Sequence, residues 1–300
     1  MALYSICLAT YKRPDGLLAL LESLEAQVLP DDMSVEILVV DNDPRSSEDV
    51  VNGFGSKSRF PVSYLTQPEQ NISITRNVAV DAAKGEYIWF VDDDEVAEPN
   101  CLERLASALH DHDADGVFGP VLPAFESAHP SWIEKSTVFN RPIGVTGAKS
   151  EGFRTSNTLV RTELLRSVPG PFDPDFGISG GSDSMLFRQL AMDGAHFVDS
   201  GDAFVHETVP DSRAQWEWMR NRVRRQGQNY ARQTVMLHGG VSKRPVLWML
   251  AKAAIRIPMT LVGAAIKWNQ RETRSNYQLR MWSNIGKFEG ARGTVSVRAR

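Results

Sequence analysis

Short, continuous apolar runs alternate with segments of helical periodicity in the first part of the chain. The apolar runs predict buried strands at 4–10 (YSICLAT), 35–40 (VEILVV), 62–65 and 87–91 (YIWFV). Helical spacing predicts one helix that begins at a cap on Asp15 and two further helices over 73–83 and 101–110. Continuous apolar strands that alternate with helices are typical of a parallel sheet covered by helices on both faces.

The pattern loosens after residue 117. Short strands are predicted at 117–121, 155–161 and 196–198, and a long loop containing Pro and Gly is predicted at 123–150. From Ala214 onward the apolar spacing is mostly helical. We therefore expect an α/β domain followed by a helical C-terminal region.

Three polar clusters directly follow three of the predicted strands. They are Thr10 to Arg13, Asp41 to Asp43 and Asp92 to Asp94. In open parallel sheets, ligands bind in the crevice beyond the carboxyl ends of the strands. We therefore expect the three clusters to meet at one edge of the sheet and to form a binding site there.

The acidic run after the strand at 87–91 has the spacing of a metal site. Asp92 and Asp94 are two residues apart, so in extended backbone they point the same way, about 7 Å from each other. Such a pair repels itself unless a cation compensates, and a divalent ion that joins a carboxylate to a diphosphate would do so. The alternative is a solvated acidic turn in which an Asp caps a helix.

The sequence lacks the glycine-rich loops that commonly hold phosphates. Neither GxGxxG nor GxxxxGK[ST] occurs. A phosphate-bearing ligand would therefore be held by metal and by basic side chains, for which Arg13 and Arg76 are the candidates. Arg76 lies near a predicted helix start, where backbone N–H groups also favour anions. Either arginine could instead form a surface ion pair.

Six motifs in order carry a family resemblance: ICLATYKRP, VVDND, NISITRN, WFVDDDE, FDPDFGISGGSDSMLFRQL and AFVHE. Over about residues 4–230 the chain resembles the inverting family-2 glycosyltransferases of the GT-A fold. More narrowly, it resembles bacterial exopolysaccharide glucosyltransferases of the succinoglycan type. The resemblance implies a three-layer α/β/α sandwich with a mostly parallel sheet as the catalytic domain, 1–213. It also implies a nucleotide-sugar-binding half (1–116), an acceptor-binding half (117–213) and a helical region (214–300).

The resemblance also implies roles for individual residues. Donor contacts fall to Thr10, Arg13, Asp41, Arg76, Asp92 and Asp93. Among these, Asp41 is similar to the carboxylate that pairs with uracil, and Asp92 to the first residue of the Asp-x-Asp motif, near the ribose. The metal ligands would be Asp94 and His206. For His206 the alternative is a hydrogen-bonded histidine at a strand end.

On the acceptor side, the segment GGSDSML resembles the motif that carries the general base. This implies Asp183 as the base, although a helix N-cap is compatible with the same position. Ser182 stands where the family has an acidic residue, which puts the acceptor contact of that position in doubt. Asn157 resembles a further acceptor-side position.

The implied reaction is a single displacement with inversion. A hexosyltransferase of this kind would move a sugar, which we expect to be glucose, from a UDP-sugar to a hydroxyl of a growing lipid-linked oligosaccharide. Mg²⁺ or Mn²⁺ would serve as cofactor. A sugar nucleotidyltransferase is one alternative, but ATYKRPDGLLAL stands where its glycine-rich loop would be. A non-catalytic module that binds a nucleotide sugar or a carbohydrate is the other, and Ser182 is the only feature that favours it.

Charge is distributed unevenly along the chain. From Lys243 to Arg300 there are 12 Lys or Arg against Glu272 and Glu289, a net charge of +10. Since the whole chain carries −4, the rest carries −14. The body is too acidic to predict nucleic-acid binding, whereas the tail predicts an anionic surface as its partner.

The tail contains an apolar segment, 246–266, that could span about 30 Å as a helix. However, Lys252 and Arg256 would each cost about 2.5–3.5 kcal/mol at a bilayer centre, and each apolar residue returns only about 0.3–0.6 kcal/mol. Helical spacing predicts one basic face from Lys252, Arg256, Thr260, Gly263, Lys267, Arg271 and Arg274. The opposing apolar residues would be Trp248, Leu250, Ile257, Leu261 and Trp268.

This pattern predicts that 246–274 lies on an anionic membrane surface with its apolar face down. The alternative is a helix packed on its own domain with the basic face in solvent. Two cysteines, Cys7 and Cys101, are too few for a disulfide framework or a zinc site and fit a reducing cytoplasm. We therefore expect a cytoplasmic protein, peripheral on the inner face of the cell membrane.

Overall fold

The computed structural model describes residues 2–43 and 46–296. The strands are β1 (Ala2–Thr10), β2 (Met33–Asp41), β3 (Val62–Thr66), β4 (Tyr87–Asp92), β5 (Glu95–Ala97), β6 (Gly116–Phe118), β7 (Val121–Phe125), β8 (Thr158–Arg161), β9 (Phe197–Asp199) and β10 (Val205–Val209). The helices are α1 (Pro14–Glu25), α2 (Glu48–Gly55), α3 (Ile72–Ala82), α4 (Cys101–Asp111), α5 (Ser131–Glu134), α6 (Thr162–Arg166), α7 (Ser182–Met192), α8 (Trp216–His238), α9 (Arg244–Ile266) and α10 (Arg271–Ala291). One 3₁₀ turn covers Pro174–Phe176.

Seven strands form the main sheet in the order β3-β2-β1-β4-β8-β6-β9. The first four are parallel to one another, and β8 alone runs antiparallel to its neighbours β4 and β6. The long apolar strands β1, β2 and β4 occupy the middle, where both faces are covered. The predicted mostly parallel α/β sheet is therefore confirmed.

Side chains of β1 alternate between two cores, one on each face of the sheet. Ile6 and Leu8 pack with α1 and α4 on one face, whereas Cys7 packs with α3 and α7 on the other. Both cores lie within one compact unit, so the layers follow the order helix, sheet, helix. This is the three-layer sandwich that the sequence predicts.

Helix α1 shows how local sequence shapes an element. Pro14 occupies the first helical position, where its fixed φ fits and its missing N–H costs nothing. Arg13, not the predicted Asp15, is therefore the residue at the cap, and Asp15 lies in the first turn. Leu17, Leu20, Leu21 and Leu24 are its buried residues, and Leu18 is 37% exposed.

The chain divides into two compact units. The first consists of residues 1–122, 143–178 and 182–207, and the second of 123–142, 179–181 and 208–300. The predicted boundary at 213 differs from this division mainly by the segment 123–142. That segment joins the second unit because Ile133, Val138 and Phe139 form an aromatic-rich core with α8 and α10.

Candidate active site

The ends of three parallel strands lie side by side in the first unit. Thr10 at the end of β1 is in register with Asp41 at the end of β2, and Ala9 is in register with Asp92 at the end of β4. The predicted meeting of the three polar clusters at one sheet edge is confirmed. The edge combines the carboxylates of the turn after β4 with two arginines.

The turn after β4 directs alternate carboxylates inward and outward. Asp93 and Glu95 are buried, whereas Asp92 and Asp94 are partly accessible. Asp92 ends β4 and Glu95 begins β5, with Asp93 and Asp94 in the turn between them, so the turn decides which carboxylates are buried. Asp92 and Asp94 are both accessible, and the metal site predicted from their spacing stays a prediction.

Asp93 holds the turn against the end of β1. Its Oδ2 accepts hydrogen bonds from Thr10 Oγ1 at 2.9 Å and from the Tyr11 N–H at 3.4 Å. Burial raises the pKa of Asp93 to about 6, although the Arg13 guanidinium opposes that rise. Thr10 and Asp93 are only 2% and 8% exposed. Their side chains therefore stabilise the turn in this structure, and the donor contacts predicted for them stay predictions.

Arg13, at the start of α1, contacts two carboxylates of the turn after β4. A single guanidinium nitrogen, Nη1, lies 3.0 Å from Asp93 Oδ1 and 2.8 Å from Asp94 Oδ2. The approach is close because a Cβ at Gly16 would lie 2.6 Å from the Asp93 carbonyl oxygen, so only glycine lets α1 come this near. The Arg13 guanidinium is therefore the cation that balances the Asp93 and Asp94 carboxylates in the structure.

Arg76 reaches the same edge from α3. Asn71 caps this helix by accepting from the Ser73 and Ile74 N–H groups, which fixes its first turn. Arg76 Nη2 lies 3.3 Å from Asp92 Oδ1, and its guanidinium lies 5.8 Å from the centroid of the Phe172 ring. The edge therefore presents two cationic and two accessible anionic side chains.

Asp41 is fully buried, and its carboxylate organises the turn after β2. It accepts hydrogen bonds from the Tyr64 hydroxyl at 2.9 Å, from Ser46 Oγ, and from the N–H groups of Asp43 and Ser47. These donors occupy both oxygens. The contact with uracil implied for Asp41 would have to replace one of these bonds, and it stays a prediction.

Glu95 is a positioning residue to which the sequence analysis assigned no role. Its Oε2 accepts from the Asp92 N–H at 3.0 Å, and Oε1 accepts from the Ser156 hydroxyl. Burial raises the pKa of Glu95 well above its ordinary value, and the nearby Asp92 carboxylate adds to the rise. This role depends on contact with Ser156, 61 residues further along the chain, which the local sequence does not indicate.

Asp183 lies in the first turn of α7. Its carboxylate is partly accessible, and Oδ1 accepts from the Ser184 N–H at 2.7 Å. Ser182 is 1% exposed, and its hydroxyl has no hydrogen-bond partner among the described residues. The predicted acceptor contact of Ser182 is therefore wrong for this structure, since its side chain faces the interior.

His206 lies at a strand end and contacts a carboxylate. It is opposite Val96 in the pairing of β10 with β5, and its Nε2 lies 3.2 Å from Glu98 Oε1. The roles of His206 and Asp94 as metal ligands stay predictions. Within 2–43 and 46–296, no group of three or more His, Cys, Asp or Glu is placed to hold a metal ion.

Asn157 is an interior residue, which corrects its predicted place on the acceptor side. The side chain is fully buried. Its Oδ1 accepts from Trp89 Nε1 at 3.1 Å, and its Nδ2 donates to the carbonyl oxygens of Ala203 at 2.7 Å and Pro120 at 3.1 Å. The amide therefore ties β8 to the neighbouring elements and has no group left for a ligand.

A layered, mostly parallel sheet with an acidic turn at its carboxyl edge defines a glycosyltransferase of the GT-A class. The model of "Glycosyl transferase family 2" matches residues 5–168, and the chain belongs to this family. The succinoglycan biosynthesis protein ExoM of Rhizobium meliloti is 29% identical over 294 residues, which cover 97% of this chain and 94% of ExoM. The predicted family is thus confirmed.

Solved structures show the same fold at low sequence identity. Mannosyltransferase PcManGT from Pyrobaculum calidifontis, in complex with GDP-Man and Mn²⁺, superposes with a TM-score of 0.63 at 18% identity, covering 95% of this chain and 86% of that one. Staphylococcus aureus TarS 1–349, in complex with UDP-GlcNAc, superposes with a TM-score of 0.53 at 17% identity, covering 95% and 92%. Both likenesses bear on the fold alone.

Proposed function

We propose that this family-2 glycosyltransferase moves a hexose from a UDP-sugar to a hydroxyl of a growing lipid-linked oligosaccharide, with inversion, during exopolysaccharide assembly. The observation that carries the proposal is the sheet edge where Arg13, Arg76, Asp92 and Asp94 meet. The likeness to ExoM over nearly the whole chain supports the exopolysaccharide context. We propose a UDP-sugar as donor, the kind of ligand that TarS holds in its UDP-GlcNAc complex, and glucose is the sugar we expect.

Arg76 and Arg13 are suited to the diphosphate of the donor. Arg76 is 11% exposed at its side chain, so little solvent screens its charge. Asp92 accepts from Arg76, and we assign it a contact with the ribose of the donor.

The carboxylates at this edge suit a divalent cation only when the nucleotide sugar is also bound. Mg²⁺ and Mn²⁺ commonly take one or two carboxylates together with phosphate oxygens and water. Asp94 offers such a carboxylate on the accessible side, beside Asp92. A bound cation would stabilise the charge that develops on the leaving diphosphate. Arg13 must release Asp94 before that carboxylate can serve as a ligand.

Asp183 is the residue we assign as general base. As the acceptor oxygen forms its bond to the anomeric carbon, the proton of the acceptor hydroxyl passes to the Asp183 carboxylate. The bond between the anomeric carbon and the diphosphate oxygen breaks at the same time, and UDP leaves with the electron pair. Attack from the face opposite the diphosphate inverts the configuration.

The test is UDP release by the full chain with Asp183→Asn. We expect kcat to fall about 10²-fold or more, the range for loss of a general base, with UDP affinity unchanged. Asp193→Asn, in the exposed turn directly after the same helix, is the matched control and should turn over normally. Normal turnover by Asp183→Asn with weakened UDP binding would move Asp183 to the donor side and refute the assignment.

A further inference from the structure

Helix α9 of the second unit has one packed face and one bare apolar face. The packed face carries Val246, Met249, Ala253, Thr260 and Ala264, all of them buried. The bare face carries Trp248, Ile255, Met259, Val262 and Ile266, which are 63%, 62%, 64%, 58% and 74% exposed. We call these last five residues the apolar stripe. Their steps of seven, four, three and four residues place them in one line along the helix.

An uncovered line of large apolar side chains is unusual on a soluble surface. Scattered apolar residues are normal there, but contiguous apolar patches mark a binding surface. Of the described helices, only Arg244–Ile266 has the length and apolar composition to cross a membrane, and just 22% of its most apolar window is buried. The apolar stripe therefore has the properties of a docking surface.

Basic and aromatic side chains border the apolar stripe. Lys252 and Arg256 are exposed and lie on the helix between the apolar stripe and the packed face. The Lys252 ammonium lies 4.9 Å from the centre of the Trp248 ring, and the Arg274 guanidinium lies 4.6 Å from that of Trp268. Tryptophan with lysine or arginine is the combination that suits the headgroup level of a bilayer, where an apolar ring and a charge are both accommodated.

The packing of α9 is incompatible with a membrane-spanning arrangement. Near its start Val246 and Met249 contact Ala231 of α8 and Ala291 of α10. Near its end the Tyr277 ring of α10 lies so close to Gly263 that a Cβ there would be 2.7 Å from a ring carbon. Spanning would therefore take α10 into the bilayer along the whole length of α9.

Helix α10 is unsuited to hydrocarbon because it is rich in charge. Its charged residues are Arg271, Glu272, Arg274, Arg280, Lys287 and Glu289. Each charge at a bilayer centre costs about 2.5–3.5 kcal/mol on insertion scales, far more than the apolar residues of α10 return. An orientation in the plane of the membrane leaves α10 in water and immerses only the apolar stripe.

Charge distinguishes a lipid surface from a second copy of the chain as the occupant. The segment from Lys243 to Arg300 has a net charge of +10. Two copies that met through their apolar stripes would bring Lys252 and Arg256 close to the same residues of the partner, and like charges would repel. Anionic headgroups provide the opposite charge at the level where these side chains lie.

We infer that the apolar stripe is a membrane-docking face that lies in the interface of an anionic bilayer, parallel to its plane. This inference does not depend on the sugar-transfer reaction. It also corrects the face predicted from sequence: Thr260 is buried and Gly263 packs on Tyr277, so no continuous basic face forms. Leu250 and Ile257, predicted on the apolar face, are half-buried. A cytoplasmic, peripheral location follows as part of the same proposal.

The first test is flotation of the full chain with vesicles of phosphatidylcholine, with and without phosphatidylglycerol. Ile255→Glu with Val262→Glu should lower binding to the anionic vesicles by about tenfold or more, because two side chains that would be buried in the bilayer become charged. Both side chains are exposed, so the fold should be unaffected. The matched control is Val28→Glu with Val145→Glu, which are 61% and 75% exposed in the first unit.

The second test separates charge from apolar insertion. Lys252→Gln with Arg256→Gln should weaken binding to anionic vesicles by about fivefold per residue and leave binding to neutral vesicles unchanged. The control is Lys57→Gln with Lys84→Gln, both exposed in the first unit.

Four results would overturn the inference. They are equal flotation of the stripe variant and the wild type, absence of wild-type flotation with either vesicle, a solution dimer that the stripe variant dissociates, and retention of the protein in membranes at alkaline pH. The last two would identify a second copy or a spanning helix as the explanation.

Discussion

Replacement of Asn157 tests the difference between its predicted and observed roles. Asn157→Ala removes the acceptor for Trp89 Nε1 and the donor to the Ala203 carbonyl. The Trp89 N–H and the Ala203 carbonyl are both buried. The Pro120 carbonyl keeps the N–H of Val205 as a partner. Each orphaned buried group costs about 1–3 kcal/mol.

The backbone adds a further cost. Asn157 has a φ of 51°, in the left-handed region, where alanine is disfavoured by about 1–2 kcal/mol. The total is a loss of about 3–8 kcal/mol in the free energy of unfolding, which lowers Tm by at least about 6 °C at roughly 2–4 °C per kcal/mol. Differential scanning calorimetry of the full chain measures it.

The control is Asn52→Ala, on the exposed surface of α2, which should change stability by no more than about 0.5 kcal/mol. Steady-state kinetics complete the test. If Asn157→Ala unfolded at the same temperature as the wild type but had a higher KM for the acceptor, Asn157 would contact the acceptor as the sequence implied. That result would refute our structural assignment.

Three further predictions concern the sheet edge. Arg13→Gln should raise Mn²⁺ affinity without nucleotide, measured by electron paramagnetic resonance, because the guanidinium no longer competes for Asp94; unchanged affinity, or an equal rise in Lys12→Gln, would contradict this. Asp41→Asn should lower Tm, since it disrupts the turn after β2; lost UDP binding at an unaltered Tm would instead support direct contact with uracil. Asp93 has a folded pKa of about 6 against 3.8 ordinarily, so its burial removes up to about 3 kcal/mol of stability as pH rises from 4 to 7. Urea unfolding with metal chelated should show that Asp93→Asn lacks this loss, and equal pH dependence in variant and wild type would contradict it.

Sequence reasoning succeeded where a single periodicity decides the outcome. The apolar runs fixed β1, β2 and β4, and the rule for parallel strands then placed Thr10, Asp41 and Asp92 at one edge.

It failed where a side chain's environment depends on distant segments. Asn157 is buried because Trp89, Pro120 and Ala203 converge on it, and nothing within RTSNTLVR indicates those contacts. Asp93 was grouped with its accessible neighbours, but contacts with Thr10 and Arg13 hold its side chain in the interior. In α9, the basic spacing was real, but Thr260 is buried and Tyr277 of α10 packs on Gly263, and these contacts decided which face was covered.

The most direct test of the central claim is UDP release from a panel of UDP-sugars, with and without a lipid-linked oligosaccharide acceptor. We expect one UDP-sugar to yield UDP in equal amount to a glycosylated lipid product, and EDTA to stop the reaction. Saturable binding of UDP-sugars without UDP release across the panel would identify a binding module instead, and release of pyrophosphate would identify a nucleotidyltransferase. Either result would contradict the account.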